Sequence, residues 1–354
     1  MTLIYKLLGI FILIASLIVG WFWQSVNQFS STPVNVPQGK LDFTIEPGSG
    51  LYAVVNELAT LGVIQDASKF RWMVRFDGKD KNIQAGEYQI DASMTPRDIL
   101  AMFAAGKVKQ YAFTIVEGWT FKQLLTAIGS NKHLKQTLNG KSVEQVMTGL
   151  GYSGEHPEGR FLPDTYHFPA GTSDNDFLKR AYQALETTLA DEWQKRADDL
   201  PYKSAYEALI MASIVEKETA VAAERTHIAG VFVRRIKKNM RLQTDPTVIY
   251  GMGEKYDGNL RKRDLRKDTP YNTYRRKGLP PTPIALPGAA AINAALNPDN
   301  NTSLYFVAKG DGSHYFSETV EEHNKAVRQY QIRKRKTDYR STPVMNPDPK
   351  VVPK

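Results

Sequence analysis

The chain has 354 residues, no cysteine, 42% hydrophobic and 23% charged residues, and a formal net charge of +9. These near-average fractions exclude a wholly disordered or collagen-like chain, and the length leaves room for two or three domains. Without cysteine there is no disulfide framework, thiolate zinc site, cysteine nucleophile or iron–sulfur cluster; with six histidines and no His-Glu-x-x-His pair, a zinc hydrolase is disfavoured as well.

More than half of the charge excess lies in residues 333–354, where seven Lys/Arg face two Asp/Glu. No RNP, helix-turn-helix or zinc-finger pattern accompanies it, so nucleic acid is not the expected partner; an anionic polymer or a membrane surface accounts for the charge. At the other end, residues 7–23 read LLGIFILIASLIVGWFW without a charge. Extended over residues 7–26, a helix of that composition crosses a hydrocarbon core of about 30 Å. Trp21 and Trp23 fall at its far end, where aromatic rings favour the interface. No small-residue cleavage site follows, so an uncleaved anchor is preferred over a signal peptide. Lys6 before the span puts residues 1–6 in the cytoplasm and the bulk of the chain outside.

After a Ser/Pro/Asn-rich linker over 27–40, a strand is expected at 41–45, a turn at 46–50, helices at 51–61 and 68–76, and a strand at 85–90. Thr95-Pro96 opens a further helix to residue 105, with Thr as N-cap and Pro in the first turn. A second strand–turn–helix over 111–128 makes a weak internal repeat. Strand–helix–helix–strand units of this kind resemble LysM modules, which bind glycans; a plain α+β spacer fits the same pattern. Helices are then expected at 177–200, 204–219 and 224–239, followed by short strands. A Pro-rich stretch over 279–287, a hairpin over 304–316 and a helix over 321–333 complete the fold. Beyond residue 336 the composition predicts disorder.

Chemistry is best sought at the end of the helix SAYEALIMASIVEKET. Its centre is apolar on nearly every side, which marks a core helix. Glu216 and Glu218 lie about 200° apart around it and face opposite ways, so one of them at most shares a cleft with a substrate. Periodicity does not choose between them, and the ordinary reading is a solvated Glu-Lys-Glu cap. A carboxyl in the last turn meets the negative end of the helix dipole, which raises its pKa toward that of a neutral-pH general acid. In the next segment, Asp245-Pro246 fits the N-cap and first position of a short helix, while Gln243, Thr247 and Tyr250 suit either packing or sugar hydroxyls.

Ala212-Ser213-Ile214-Val215-Glu216-Lys217-Glu218-Thr219, then RLQTDPTVIYGMGE, YNTY and GLPPTPIALPG, resemble the endolytic murein transglycosylases of the MltG (YceG-like) family. Glu158-Gly159-Arg160-Phe161-Leu162-Pro163-Asp164-Thr165-Tyr166 is similar to that family's E-G-x-x-x-P-D-T-Y segment. The resemblance implies an α+β fold: one transmembrane helix, a LysM-like glycan-binding region over 41–150, a catalytic domain over 151–335 and a basic tail over 336–354. It implies cleavage of the β-1,4 bond between N-acetylmuramic acid and N-acetylglucosamine, leaving 1,6-anhydro ends. Glu218 would act as the single acid/base, with no metal or organic cofactor. Glu216, Glu158, Gln243, Thr247, Tyr250 and Asn272 are the candidate substrate-binding residues, and His314, His323 and Asn324 possible cleft residues. The implied setting is the inner membrane facing the periplasm, with peptidoglycan strands and peptidoglycan synthases as partners. The rival readings are a hydrolytic muramidase and a non-catalytic peptidoglycan-binding scaffold.

Overall fold

A computed structural model of the chain describes residues 2–77 and 83–333, so the basic tail expected over 336–354 lies outside the described residues. Helix α1 (Thr2–Ser31) is longer than the expected span of 7–26, and its stretch Leu3–Ser31 is long and apolar enough to cross a membrane. The excess has a packing cause. Val26 near its end is buried in a hydrophobic core, and Val34 and Val36 beyond it are buried in the same core. The amide of Val34 donates to the carbonyl of Met94 at 2.8 Å. The expected linker over 27–40 is therefore a docked connection rather than a free tether.

That core belongs to the first of two compact units, which comprises Met1–Tyr111 with His167–Gly171. Strand β1 (Lys40–Ile45) pairs antiparallel with β2 (Gly86–Asp91), Phe43 opposite Tyr88. Alternation turns Phe43, Ile45, Tyr88 and Ile90 to one face. Helices α2 (Leu51–Thr60) and α3 (Ala67–Asp77) lie between the strands in sequence and contribute Val54, Val55, Leu58, Phe70, Met73 and Val74 to the core. Helix α4 (Pro96–Ala104) starts where Thr95 and Asp98 form a reciprocal capping box, and adds Ile99, Leu100 and Phe103.

The second unit comprises Ala112–Tyr166 and Thr172–Lys354. The chain passes between the units in β3 (Gln110–Thr114) and β4 (Thr165–Pro169). The two units thus divide after Tyr111, and helix α5 (Phe121–Gly129) is fastened to the later chain. Its Phe121 ring stacks on Phe161 at 5.1 Å, and the Phe121 amide donates to Glu158 at 2.9 Å. Helix α6 (Val143–Leu150), absent from the sequence reading, lies between α5 and β4; strand–helix–helix–strand does recur in the element order.

Helix α7 (Asp174–Gln194) begins three residues before the expected 177 and stops short of 200. Ser173 explains the early start, since its hydroxyl caps the helix by accepting from the Asp176 amide at 3.0 Å. The buried Asp174 carboxylate accepts from the amides of Thr137 and Leu138 at 2.9–3.0 Å and ties this end to that segment. Helix α8 (Ala205–Glu218) is the axis of this unit, with every residue from Ala208 to Glu216 buried. It packs against α7, α9 (Arg225–Lys237), α10 (Asp245–Met252) and α12 (Ala289–Leu296). The short strands expected after residue 239 are not formed; α10, α11 (Lys262–Arg266) and loops occupy that stretch. The predicted hairpin is β5 (Tyr305–Ala308) against β6 (His314–Ser317), turning at Gly310 and Gly312 with positive φ. Helix α13 (Val320–Val327) follows and widens into a π-helical turn at Arg328–Arg333.

Gly159 shows why the Glu-Gly-Arg turn has its sequence. Its φ is +80°, and an added Cβ would lie 2.5 Å from Cβ of Pro283. Gly159→Ala is expected to destabilise the fold by about 2 kcal/mol or more, through left-handed strain and this clash; equilibrium denaturation of the purified protein measures it.

Candidate active site

Six separated segments of the second unit enclose a cavity of about 450 Å³. Glu218, the last residue of α8, lines it together with Arg235, Gln243, Thr244, Asp245, Tyr274, Tyr305, His314 and His323, among others. The Glu218 carboxyl accepts a hydrogen bond from the Thr244 hydroxyl. Burial pushes its pKa up from 4.5 to about 7; the charge of Asp245 adds to the rise, while the Thr244 bond and Arg235 oppose it. Asp245 sits in the first turn of α10 and accepts a hydrogen bond from the Tyr274 hydroxyl at 2.6 Å. The N-cap of α10 is Thr244, one residue before the expected position.

The wall is held from behind by Arg235. Its Nε donates to the carbonyl of Leu304 at 2.7 Å, and its Nη1 to the carbonyls of Arg241 and Leu242 at 3.1 and 2.8 Å and to the side chain of Gln243 at 3.3 Å. One guanidinium therefore joins α9, the start of β5 and the loop before α10. Gln243 has φ +57°, a left-handed conformation rare outside glycine, at the bend that precedes Thr244. Buried Thr247 and Thr273 brace that bend: their hydroxyls lie 2.9 Å apart, and Thr247 donates to the carbonyl of Thr244 at 2.8 Å. On the opposite side His314 pairs through Nδ1 with the Glu224 carboxylate at 2.7 Å.

Of the substrate-binding candidates, Gln243 alone lines the cavity beside Glu218; His314 and His323 line it too. The other candidates are taken up by the fold. Glu216 is 1% exposed and accepts from the amide of Gly288 at 3.0 Å, the N-cap of α12, so it fastens α12 to α8. Glu158 is buried between the Phe121 amide and the Tyr250 hydroxyl at 3.1 Å, which also uses Tyr250. Asn272 is 1% exposed and donates to the carbonyls of Asp264, Leu265 and Lys267.

The alternative of a solvated Glu216-Lys217-Glu218 cap does not describe this helix end. Glu216 is interior, and Lys217 reaches the carbonyl of Gly118 at 3.2 Å. Burial also lifts Glu158 to about 7. A raised pKa therefore does not single out a reactive carboxyl here; access to the cavity does. Arg235 and Tyr305 were missed because an arginine in VRRIKK reads as a charged surface and a lone tyrosine carries no pattern; Tyr274 stood within the YNTY motif without being singled out from it. Among the described residues, no group of three or more His, Cys, Asp or Glu is placed to hold a metal ion.

This unit falls almost wholly within residues 43–329, which match the YceG-like family. Endolytic murein transglycosylase of Bacillus subtilis is 34% identical over 329 residues, covering 87% of each chain. The proteins of that name from two Streptococcus pneumoniae strains are 25% identical over 346 residues; the match covers 88% of this chain and 62% of theirs, less than two thirds of their length. A solved YceG-like protein from Listeria monocytogenes is 30% identical, with 81% of this chain and 98% of that one covered at a TM-score of 0.48. With a match over most of its length and a relative above 30% identity, the chain belongs to the YceG-like family.

Proposed function

We propose that this protein is an endolytic murein transglycosylase, a lyase that cuts peptidoglycan glycan strands internally and leaves 1,6-anhydro-muramoyl ends. The observation that carries the chemistry is Glu218: a carboxyl facing a cavity, desolvated enough to keep its proton near neutrality. In the proposed step the C6 hydroxyl of the muramoyl residue attacks its own C1. The C1–O4 bond breaks with its electron pair passing to O4, and O4 takes the Glu218 proton. The carboxylate then takes the C6 hydroxyl proton, so no water is consumed. An intramolecular nucleophile has a very high effective concentration, which removes the need for a second carboxylate to activate water. Asp245 keeps Glu218 protonated by repulsion, Thr244 orients it, and Gln243, His314 and His323 offer polar groups to the sugars.

The β1–α2–α3–β2 arrangement supports a LysM-like glycan-binding role for the first unit, and α1 a single-pass anchor. The anchor reading places the N-terminus in the cytoplasm, the bulk outside, in an inner membrane facing the periplasm, within reach of peptidoglycan synthases. The second reading is a muramidase. Asp245 favours it, as a second carboxylate in the same cavity available to activate water; Glu216 and Glu158 are occupied elsewhere.

A pH profile tests the acid role. Glu218 must be protonated at the start, so kcat/KM is expected to be level below pH 7 and to fall as pH rises through about 7. The Thr244 hydroxyl stabilises the ionised form, so Thr244→Val moves the falling limb to higher pH. A limb that stays in place, or moves down, contradicts the assignment.

A further inference from the structure

We propose that the exposed aromatic face of α3 lies in the interfacial layer of the membrane crossed by α1, docking the first unit on the lipid surface. This rests on the single-pass reading of α1. About 20 apolar residues at 1.5 Å each bring the helix through the hydrocarbon by Trp23. Trp21 and Trp23 are 72% and 53% exposed there. Helix α3 packs directly on this end of α1: the Phe22 ring meets Trp72 edge-on at 5.7 Å, and Trp23 meets Phe76 at 5.3 Å.

Trp72 and Phe76 face out on the side of α3 opposite Phe70, Met73 and Val74, and they remain 43% and 47% exposed. Their contacts with Phe22 and Trp23 set them at the depth where the apolar span ends. The guanidinium of Arg75 lies 5.8 Å from the Trp72 ring. Aromatic rings with a cation alongside suit the boundary of headgroups and acyl chains, where ring faces bury and charges stay hydrated. The contact is continuous with the lipid around α1, and the last turns of α1 are locked into the unit's core by Val26. The lipid surface is therefore the occupant that the patch fits.

The absence of native cysteine makes the test direct. Single cysteines replace Leu13, Thr44, Trp72 or Phe76 in the full chain, carry a thiol-reactive fluorophore, and are placed in phosphatidylethanolamine/phosphatidylglycerol vesicles. Quenching by acyl-brominated lipid is compared with quenching by aqueous iodide. Labels at 72 and 76 are expected to lose about half their intensity to bromines near the headgroups, from rings about 5–10 Å into the boundary. The label at 13 is quenched by deep bromines, and the label at 44, on the outer face of the sheet, by iodide alone. If 13 is lipid-exposed while 72 and 76 respond only to iodide, the anchor stands and the docking is wrong. Shielding of 72 and 76 from both quenchers would mean a protein contact and overturn the proposal. Equal lipid quenching at 44 would overturn the orientation, and no lipid quenching at 13 would overturn the anchor and the docking together.

Discussion

Glu218→Gln is expected to lower strand cleavage by about a thousandfold or more, the upper part of the range for loss of a general acid–base group, while the protein stays folded. Glutamine keeps the shape and the oxygen that accepts from Thr244. The stability effect has a definite sign. A carboxyl whose folded pKa lies above its unfolded value favours the folded state less as pH rises from the ordinary value toward the folded one. A rise from 4.5 to about 7 corresponds to about 3 kcal/mol, present in full above pH 7 and absent below pH 4. The glutamine variant is thus expected to be inactive and, at neutral pH and above, more stable than the parent. Denaturation curves at pH 5 and pH 8, with cleavage assays alongside, read both effects. An inactive variant that is also less stable at pH 8 would place Glu218 in a structural role.

Arg235→Lys has the second large expected effect. The planar guanidinium reaches three carbonyls and one amide oxygen in two segments, 241–243 and the chain at Leu304; a single ammonium on a flexible four-carbon stem cannot hold that fork. Hydrogen bonds from a charged donor contribute about 1.5–3 kcal/mol each, so losing the geometry is expected to cost about 3 kcal/mol of stability. Because the same group sets the 241–243 bend, cleavage is expected to fall along with stability, with kcat reduced more than KM rises. Urea denaturation and steady-state kinetics on soluble strands measure the two. A fully active variant of parental stability would show that the cavity wall does not depend on this residue.

Elements with strong local signals were legible in the sequence. The capping pair at Thr95, the even apolar spread of α8, the alternation in β1 and the Gly-Asp-Gly turn each act within a few residues, where propensity and periodicity operate. What escaped depends on long-range packing. Helix α12 is an eight-residue alanine-rich segment stabilised by burial against α8 and α9, and α6 is equally short. The docked segment around Val34 and Val36 has the composition of a linker, and its burial follows from contacts with distant chain.

The site divides along the same line. Periodicity left Glu216 and Glu218 facing opposite ways without ranking them; it is the Gly288 amide on Glu216 and the cavity at Glu218 that separate their surroundings. Glu158 and Asn272 are polar residues in loop-like motifs and look like ligands in sequence. In the fold they satisfy buried backbone groups, a need that no local pattern reveals. Arg235 and Asp245 were hidden by plausible local roles, a basic helix face and a helix start. Their joint effect on Glu218 exists only once α8, α9 and α10 meet.

The measurement that tests the central claim most directly is mass spectrometry of the ends produced when the purified protein digests peptidoglycan glycan strands. With the C6 hydroxyl as nucleophile, each cut leaves a muramoyl end about 18 Da lighter than a hydrolysed one, and these ends are absent from the Glu218→Gln digest. Reducing muramic acid ends would contradict the account: water would then be the nucleophile, and Asp245 would be the carboxylate to examine as its base.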